Sequence, residues 1–244
     1  MLAKIRALFA TLSIAVYLPI IIVQIYLTRG WQNGRWARKQ CRWFFGFNRL
    51  NVERIGEYDK DAQLLLINHQ SVTDIIYFEA FHPANLCWVA KKQLGEIPLY
   101  GHALKAPDMI LIDREDKKSI VFLLKEAKRQ LAQNRIIAIF PEGTRSNGGE
   151  EFLPFKSGAK ILASKLKLRI QPAVLINTRK LYNSSSMSIE TDKARVVLME
   201  AFMPNFDDEQ WYEKLQKSMH EVYLKHYYEL NQKPLSNNKA ESQL

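Results

Sequence analysis

Two short stretches carry side chains suited to chemistry. Asn68-His69-Gln70-Ser71-Val72-Thr73-Asp74 holds an imidazole and a carboxylate five residues apart. Phe140-Pro141-Glu142-Gly143-Thr144-Arg145-Ser146 holds a carboxylate, a hydroxyl and a guanidinium. A carboxylate bonded to one imidazole nitrogen fixes the tautomer and leaves the other nitrogen free to take a proton. A guanidinium in a tight loop suits a phosphate, because its planar fork bonds two oxygens at once. Taken singly, each stretch has a plainer reading: a structural histidine in the first, a surface turn with an incidental charge in the second. Taken together they describe a base beside an anion grip.

Both stretches leave apolar runs that read as buried strands, Leu64-Leu65-Leu66-Ile67 and Ile136-Ile137-Ala138-Ile139. Pro141 removes a ladder donor and Gly143 permits backbone angles that other residues resist, so the second strand ends there. His69 and Asp74 lie roughly 140° apart on an ideal helix and would not share a face. They meet if His69 stays in the loop and Asp74 enters the first turn of a helix over residues 72–81. In an open α/β sheet, ligands sit at the loops following the carboxyl ends of strands, which places both stretches on one rim.

At these residues the sequence resembles the 1-acylglycerol-3-phosphate acyltransferases of the glycerolipid acyltransferase superfamily. The family's His-four residues-Asp motif is matched by His69 and Asp74, and its Phe-Pro-Glu-Gly-Thr-Arg-Ser motif by Phe140 to Ser146. Leu111-Ile112-Asp113-Arg114 resembles its arginine block, and Gln171-Pro172-Ala173-Val174 its proline-containing strand. Lys91-Lys92-Gln93-Leu94, Ile97-Pro98, Gly101 and Pro154-Phe155-Lys156-Ser157-Gly158-Ala159 fit as well. The blocks run in consistent order over roughly residues 1–205. One departure is Ala106-Pro107-Asp108, where a glycine-containing approach is expected, and it bears on the shape of the substrate pocket.

The resemblance implies acyl transfer from a thioester to the sn-2 hydroxyl of lysophosphatidic acid, giving phosphatidic acid. His69 would be the general base and Asp74 its support. Arg145 and Arg114 would hold the acceptor phosphate, with Lys91 and Lys156 as weaker candidates. Gly143 and Thr144 belong to the same binding loop, where backbone amides near Gly143 or the His69 loop would serve the oxyanion. Glu142 is left with two uses, contacting the glycerol hydroxyl or bracing the arginines. No serine or cysteine sits in a nucleophile-elbow context, which favours direct transfer without an acyl-enzyme. No cofactor and no metal are expected; the donor substrate is acyl-coenzyme A or acyl-carrier protein. The rivals are an acyltransferase for glycerol-3-phosphate or another lysolipid, a thioesterase-like hydrolase, and a non-catalytic membrane-tethered lipid-binding protein.

The elements that position these groups follow from length and charge. At 244 residues the chain can bury a full core as one domain with an appendage. Cys41 and Cys87 lie far apart without metal-ligand spacing, which suggests a reducing compartment. The net charge is +10. Residues 1–50 carry Lys4, Arg6, Arg29, Arg35, Arg38, Lys39, Arg42 and Arg49 and no acid, leaving 27 basic against 25 acidic residues beyond. Such a front-loaded charge argues against a nucleic-acid binder, whose basic residues spread over a folded face.

Residues 7–28 carry no charge and are long enough to cross a bilayer, which takes about 20 helical residues. A signal peptide would have a shorter apolar core and a better cleavage site than Gln24-Ile25-Tyr26-Leu27-Thr28-Arg29. Pro19 makes a kink or a shallow insertion as credible as a straight span. Residues 30–47 interleave arginines with Trp31, Trp36, Trp43, Phe44, Phe45 and Phe47, a mixture suited to lipid headgroups. The chain therefore divides into a membrane-associated helical segment (1–47), an α/β acyltransferase domain (48–232) and a disordered tail (233–244). The expected location is a membrane's cytoplasmic face, the inner membrane if the source is bacterial. Alternating strands and helices imply a mainly parallel sheet flanked by helices. Pro172 is expected at an edge or a bulge, and a last helix over 207–230 would use Asp207, Asp208 and Glu209 at its start.

Overall fold

The computed structural model describes residues 2–113, 116 and 118–232. Arg114 and the 233–244 tail lie outside the described residues, so those two expectations carry no structural description. The N-terminal segment folds as α1 (Leu2–Thr28), α2 (Arg35–Arg38) and α3 (Arg42–Phe47), the last two separated by a 3-10 turn. Seven strands and six helices follow: β1 (Asn51–Ile55), β2 (Leu64–Ile67), α4 (Val72–Phe81), β3 (Leu86–Lys91), α5 (Tyr100–Lys105), β4 (Ile110–Ile112), α6 (Ser119–Leu131), β5 (Ile136–Ile139), α7 (Ser157–Leu166), β6 (Ile170–Ile176), α8 (Thr178–Leu181), β7 (Lys193–Leu198) and α9 (Trp211–Asn231).

The strands form one sheet in the order β1-β7-β6-β2-β5-β3-β4. All neighbours pair in parallel except β6 and β7. The central strands are apolar throughout because both faces are covered; every residue of β2, β5 and β6 is buried. β2 and β5 are direct neighbours with Leu66 opposite Ile139, so their carboxyl ends emerge side by side. Parallel strands lie about 4.8 Å apart, which brings two loops some 70 residues apart in sequence into contact.

Pro172 sits in β6, between β7 and β2, not at an edge but at the bulge the sequence allowed: between the Ile170–Phe202 and Ala173–Leu198 pairs, Gln171 and Pro172 oppose the three residues 199–201. The β7 ladder begins only at Ala173, and the Pro172 carbonyl accepts from the Met199 amide. The Gln171 side chain donates to the Glu57 and Met199 carbonyls, supplying polar partners where the proline has no donor. α9 starts later than expected, at Trp211, so Asp207, Asp208 and Glu209 precede it. Asp208 pairs with Lys214 (2.6 Å) and accepts from the Gln210 amide. The Ala106-Pro107-Asp108 turn packs away from the site. Ala106 sits with Ile21, Ile25 and Ala37 of the N-terminal segment, and Asp108 is held by Arg129 and Gln130.

The N-terminal segment shares the domain's core. Ala7, Ala10, Phe44 and Phe45 belong to the same apolar cluster as β2 and β5. α1 is docked along its length, from the Ala3 carbonyl (accepting from the Ile189 amide) to Tyr26, whose hydroxyl lies 2.7 Å from His102 Nδ1. Its outward side is a continuous apolar stripe of Ile5, Leu8, Phe9, Leu12, Val16, Ile20, Val23 and Leu27. Among the described residues, Ala3–Thr28 is the one helix long and apolar enough to cross a membrane.

Candidate active site

β2 hands the chain to the His69 loop through Asn68, whose buried side chain continues the sheet. Its amide donates to the Leu175 carbonyl (3.0 Å) and its oxygen accepts from the Leu175 amide (2.6 Å). The next element, α4, begins with a capping box between Ser71 and Asp74, a signal already visible as Ser-x-x-Asp ahead of an apolar run. Asp74, fully buried, is thereby placed in the first turn. Its Oδ2 accepts from the Gln70 and Ser71 amides (2.7 and 2.9 Å) and lies 2.8 Å from His69 Nδ1. With the imidazole proton on Nδ1 facing that carboxylate, Nε2 is left as the basic atom.

The second motif closes over the first. The Ser146 amide donates to the His69 carbonyl (2.7 Å), and the His69 amide donates to Glu142 Oε1 (2.6 Å). Glu142 Oε2 accepts from the Leu153 amide (3.1 Å), so both oxygens of this buried carboxylate hold main chain. That adds bracing of the backbone to the two uses the sequence left open. Phe140 does what motif reading did not anticipate: its ring stacks on His69 at 3.8 Å and 12°, and on Trp88 at 5.1 Å and 21°. Gly143 adopts φ 77°, the left-handed region in which a side chain is strained.

Burial pushes Glu142 up to about 7, and the nearby Asp74 charge adds to it, against the pull of the two amides. The folded value lies above the ordinary 4.5, so the folded protein keeps a proton that the unfolded chain releases. This contribution to stability is fully present below about pH 4.5 and is lost as pH rises through about 7, amounting to ~3 kcal/mol at ~1.4 kcal/mol per unit. Glu142→Gln removes that titration. Urea unfolding of both proteins between pH 5 and 8 should show wild type losing stability relative to the variant; parallel curves would count against the assignment.

Two cavities meet at Phe140, Gly143 and Thr144. One, about 490 Å³, brings together His69, Lys91 and Arg145 with Trp88, Leu94, Ile97 and Leu104. The other, about 590 Å³, lies between α6 and α7 and is walled by Ile112, Ile120, Leu123, Ile139 and Ile161, with Lys156 and Glu142 at its border. The sequence-derived set is thus divided: Lys91 and Arg145 share the histidine's cavity, while Lys156 stands beyond the Gly143–Thr144 ridge. Arg145 is exposed, its nearest polar partner being Ser184 Oγ at 3.5 Å. Among the described residues no cluster of His, Cys, Asp and Glu could hold a metal.

Comparison with known proteins decides the kinship. The sequence profile of the family described as Acyltransferase matches residues 49–176, which spans both motif loops. A 1-acyl-sn-glycerol-3-phosphate acyltransferase of Helicobacter pylori (strain J99) is 54% identical over 226 residues, covering 93% of this chain and 95% of that one. The chain belongs to the acyltransferase family. A plant acyltransferase of the same name, from Cocos nucifera, is 29% identical over 83% of this chain and 65% of its own length. The crystal structure of the 1-acyl-sn-glycerophosphate (LPA) acyltransferase PlsC from Thermotoga maritima superimposes with a TM-score of 0.71 over 93% of this chain and 95% of that one. At 20% identity that likeness establishes the acyltransferase fold.

Proposed function

We propose that the protein transfers a fatty acyl group from an acyl thioester to the sn-2 hydroxyl of 1-acylglycerol-3-phosphate, giving phosphatidic acid. The observation that carries this is one cavity holding an oriented imidazole, Arg145 and Lys91. His69 Nε2 takes the hydroxyl proton as the oxygen attacks the thioester carbonyl. Asp74 supports the imidazolium, which then delivers the proton to the departing thiolate sulfur. The Gly143 amide already donates to the Phe140 carbonyl (3.0 Å), so the oxyanion falls to other backbone amides of that turn or of the His69 loop. Arg145 grips the acceptor phosphate, jointly with Arg114 as the resemblance implies, and Lys91 of the same cavity is a weaker candidate for that task. The second cavity, walled by aliphatic side chains, has the character required for an acyl chain, with the donor either coenzyme A- or carrier protein-bound.

The test is incubation of purified, detergent-solubilised protein with lysophosphatidic acid and each donor, reading phosphatidic acid by mass. Release of free fatty acid instead of phosphatidic acid would point to a hydrolase, and neither product to a lipid-binding protein. Arg145→Ala should raise KM for the acceptor about 10–100-fold, the equivalent of a charge-assisted hydrogen bond made before the transition state. An unchanged acceptor KM would remove Arg145 from the phosphate site.

The apolar stripe of α1 and the exposed Trp31, Trp36, Trp43 and Phe47 support seating on a bilayer. Arg29 lies over Tyr26 and Arg42 over Trp43, pairings suited to the headgroup layer. Because the opposite side of α1 is docked on the domain, we place the helix along the membrane surface, on its cytoplasmic face, with the stripe in the acyl layer. The lysolipid then reaches the site without full exposure of its chain, at ~0.8 kcal/mol saved per methylene. Leu12→Glu/Val16→Glu should cut co-sedimentation with anionic vesicles while sparing activity on a short-chain soluble acceptor. Undiminished co-sedimentation would refute the seating.

A further inference from the structure

We propose that Glu79 is a positioning residue for His69, acting through Trp88 and Phe140, and that Arg38 of the N-terminal segment holds Glu79 in place. The inference rests on the reading of His69 as the base.

α4 carries two carboxylates that reach the imidazole by different routes. Asp74 holds the ring by its edge, at Nδ1. A ring held only there can still pivot about the hydrogen-bond axis and sweep Nε2 off line. A flat surface against its face suppresses that pivot, and Phe140 is that surface, nearly parallel to it at 3.8 Å. Phe140 is backed in turn by the buried indole of Trp88. The indole carries a single donor, Nε1, which donates to Glu79 Oε1 at 2.7 Å. An aromatic ring in a pocket wall can slide against its neighbour; one fixed by a charge-assisted bond at its edge cannot do so without breaking it.

Glu79 is a nearly buried charge whose hydrogen-bonded counter-charge is Arg38, with the Arg35 and Arg135 cations also near enough to act on it. Arg38 Nη1 lies 2.7 Å from both Glu79 oxygens, with the Arg38 and Glu79 side chains only 4% and 9% exposed respectively. Arg38 also donates to the Leu86 carbonyl and to Asn85, so the same guanidinium is tied to the start of the strand that bears Trp88. The path from α2 to the imidazole is Arg38, Glu79, Trp88, Phe140, His69. Neither Arg38 nor Glu79 lines either cavity, so substitutions there do not remove a substrate contact. The segment that faces the bilayer thereby sets where the base points.

The test compares Glu79→Gln, Trp88→Phe and the double variant Arg38→Met/Glu79→Leu with wild type and with His69→Ala, using the full chain in detergent micelles. Glu79→Gln leaves the Arg38 cation unmatched and should lower the thermal midpoint. The double variant leaves no unpaired buried charge, and exchanging a buried ion pair for apolar groups is often neutral, so its midpoint should return towards wild type. All three should show kcat reduced by about 10–100-fold, as expected for a displaced catalytic group, and the two variants remote from the cavities, Glu79→Gln and Arg38→Met/Glu79→Leu, should keep both KM values within about twofold. A purely structural role would move the midpoint and leave kcat of the folded protein unchanged. If Glu79→Gln does not fold, the double variant decides. A folded double variant with wild-type kcat overturns the proposal while His69→Ala remains inactive; an active His69→Ala overturns the base assignment itself.

Discussion

His69→Ala is expected to lower kcat by about 10²–10⁴-fold, the usual contribution of a positioned general base, with KM for both substrates little changed. The expectation follows from where the ring stands. Its Nδ1 is taken by Asp74, one face is taken by Phe140, and the remaining nitrogen belongs to a side chain lining the cavity shared with Arg145 and Lys91. The main-chain bonds of this residue, to Glu142 and from Ser146, do not involve the imidazole and survive the substitution. Far-ultraviolet circular dichroism and the thermal midpoint should therefore remain close to wild type. Steady-state turnover with lysophosphatidic acid measures the loss. Near-normal turnover would mean that the hydroxyl is activated by another group.

Asp74→Asn should come close behind, with kcat down by about 10²–10⁴-fold. Asp74 Oδ2 receives three N–H groups, and an amide can meet them only with its single oxygen. If the amide oxygen keeps that position, the imidazolium loses its counter-charge. If the NH₂ group takes it, the histidine must accept at Nδ1 and carry its proton on Nε2, the tautomer that cannot act as base. Asp74 is also half of the helix cap, so a stability effect has to be separated from a catalytic one. Ser71→Ala does that. It removes the other half of the cap and the bond to the Tyr182 carbonyl (2.6 Å), costing about 1 kcal/mol of stability, with kcat kept within a few-fold. Equal kcat losses in the two variants would assign Asp74 to the fold alone.

Much of this arrangement is legible in the order of residues because the site is built at strand ends. An apolar run followed by Asn-His, or by Phe-Pro-Glu-Gly, announces both a buried strand and its exit loop, and a mainly parallel sheet puts such exits on one rim. Helix α6 is equally plain, its apolar residues recurring every third or fourth position up to Leu131. What stays hidden is adjacency. Nothing local says that β2 and β5 are neighbours, so the stack of Trp88, from within β3, on Phe140 and His69, from the exits of β5 and β2, cannot be read before the sheet order is known.

What the sequence leaves open shares a cause as well. Pro172, by its missing donor, suits an edge or a bulge alike, and which of the two it takes is set by the chain leaving β7, whose extra residue opposite it makes the bulge. Glu142 looks like a ligand contact by its place in the motif, yet its oxygens turn inward to two amides. In each case the local chemistry is right about what a residue needs and silent about which distant group provides it. The N-terminal segment shows the same limit at larger scale. Its composition marks it as an appendage, whereas Phe44, Phe45 and Arg38 are built into the domain.

That shared core sets an order of events during synthesis. α1 leaves the ribosome first, but the groups that cover its inner side, His102, Tyr182 and Ile189, are made much later. At 5–20 residues per second the wait before Tyr182 emerges is about 10–35 seconds. A helix apolar on every side has no stable place in water for that time, so the nascent chain must be parked at a lipid surface or in a chaperone until its own sheet arrives to claim it.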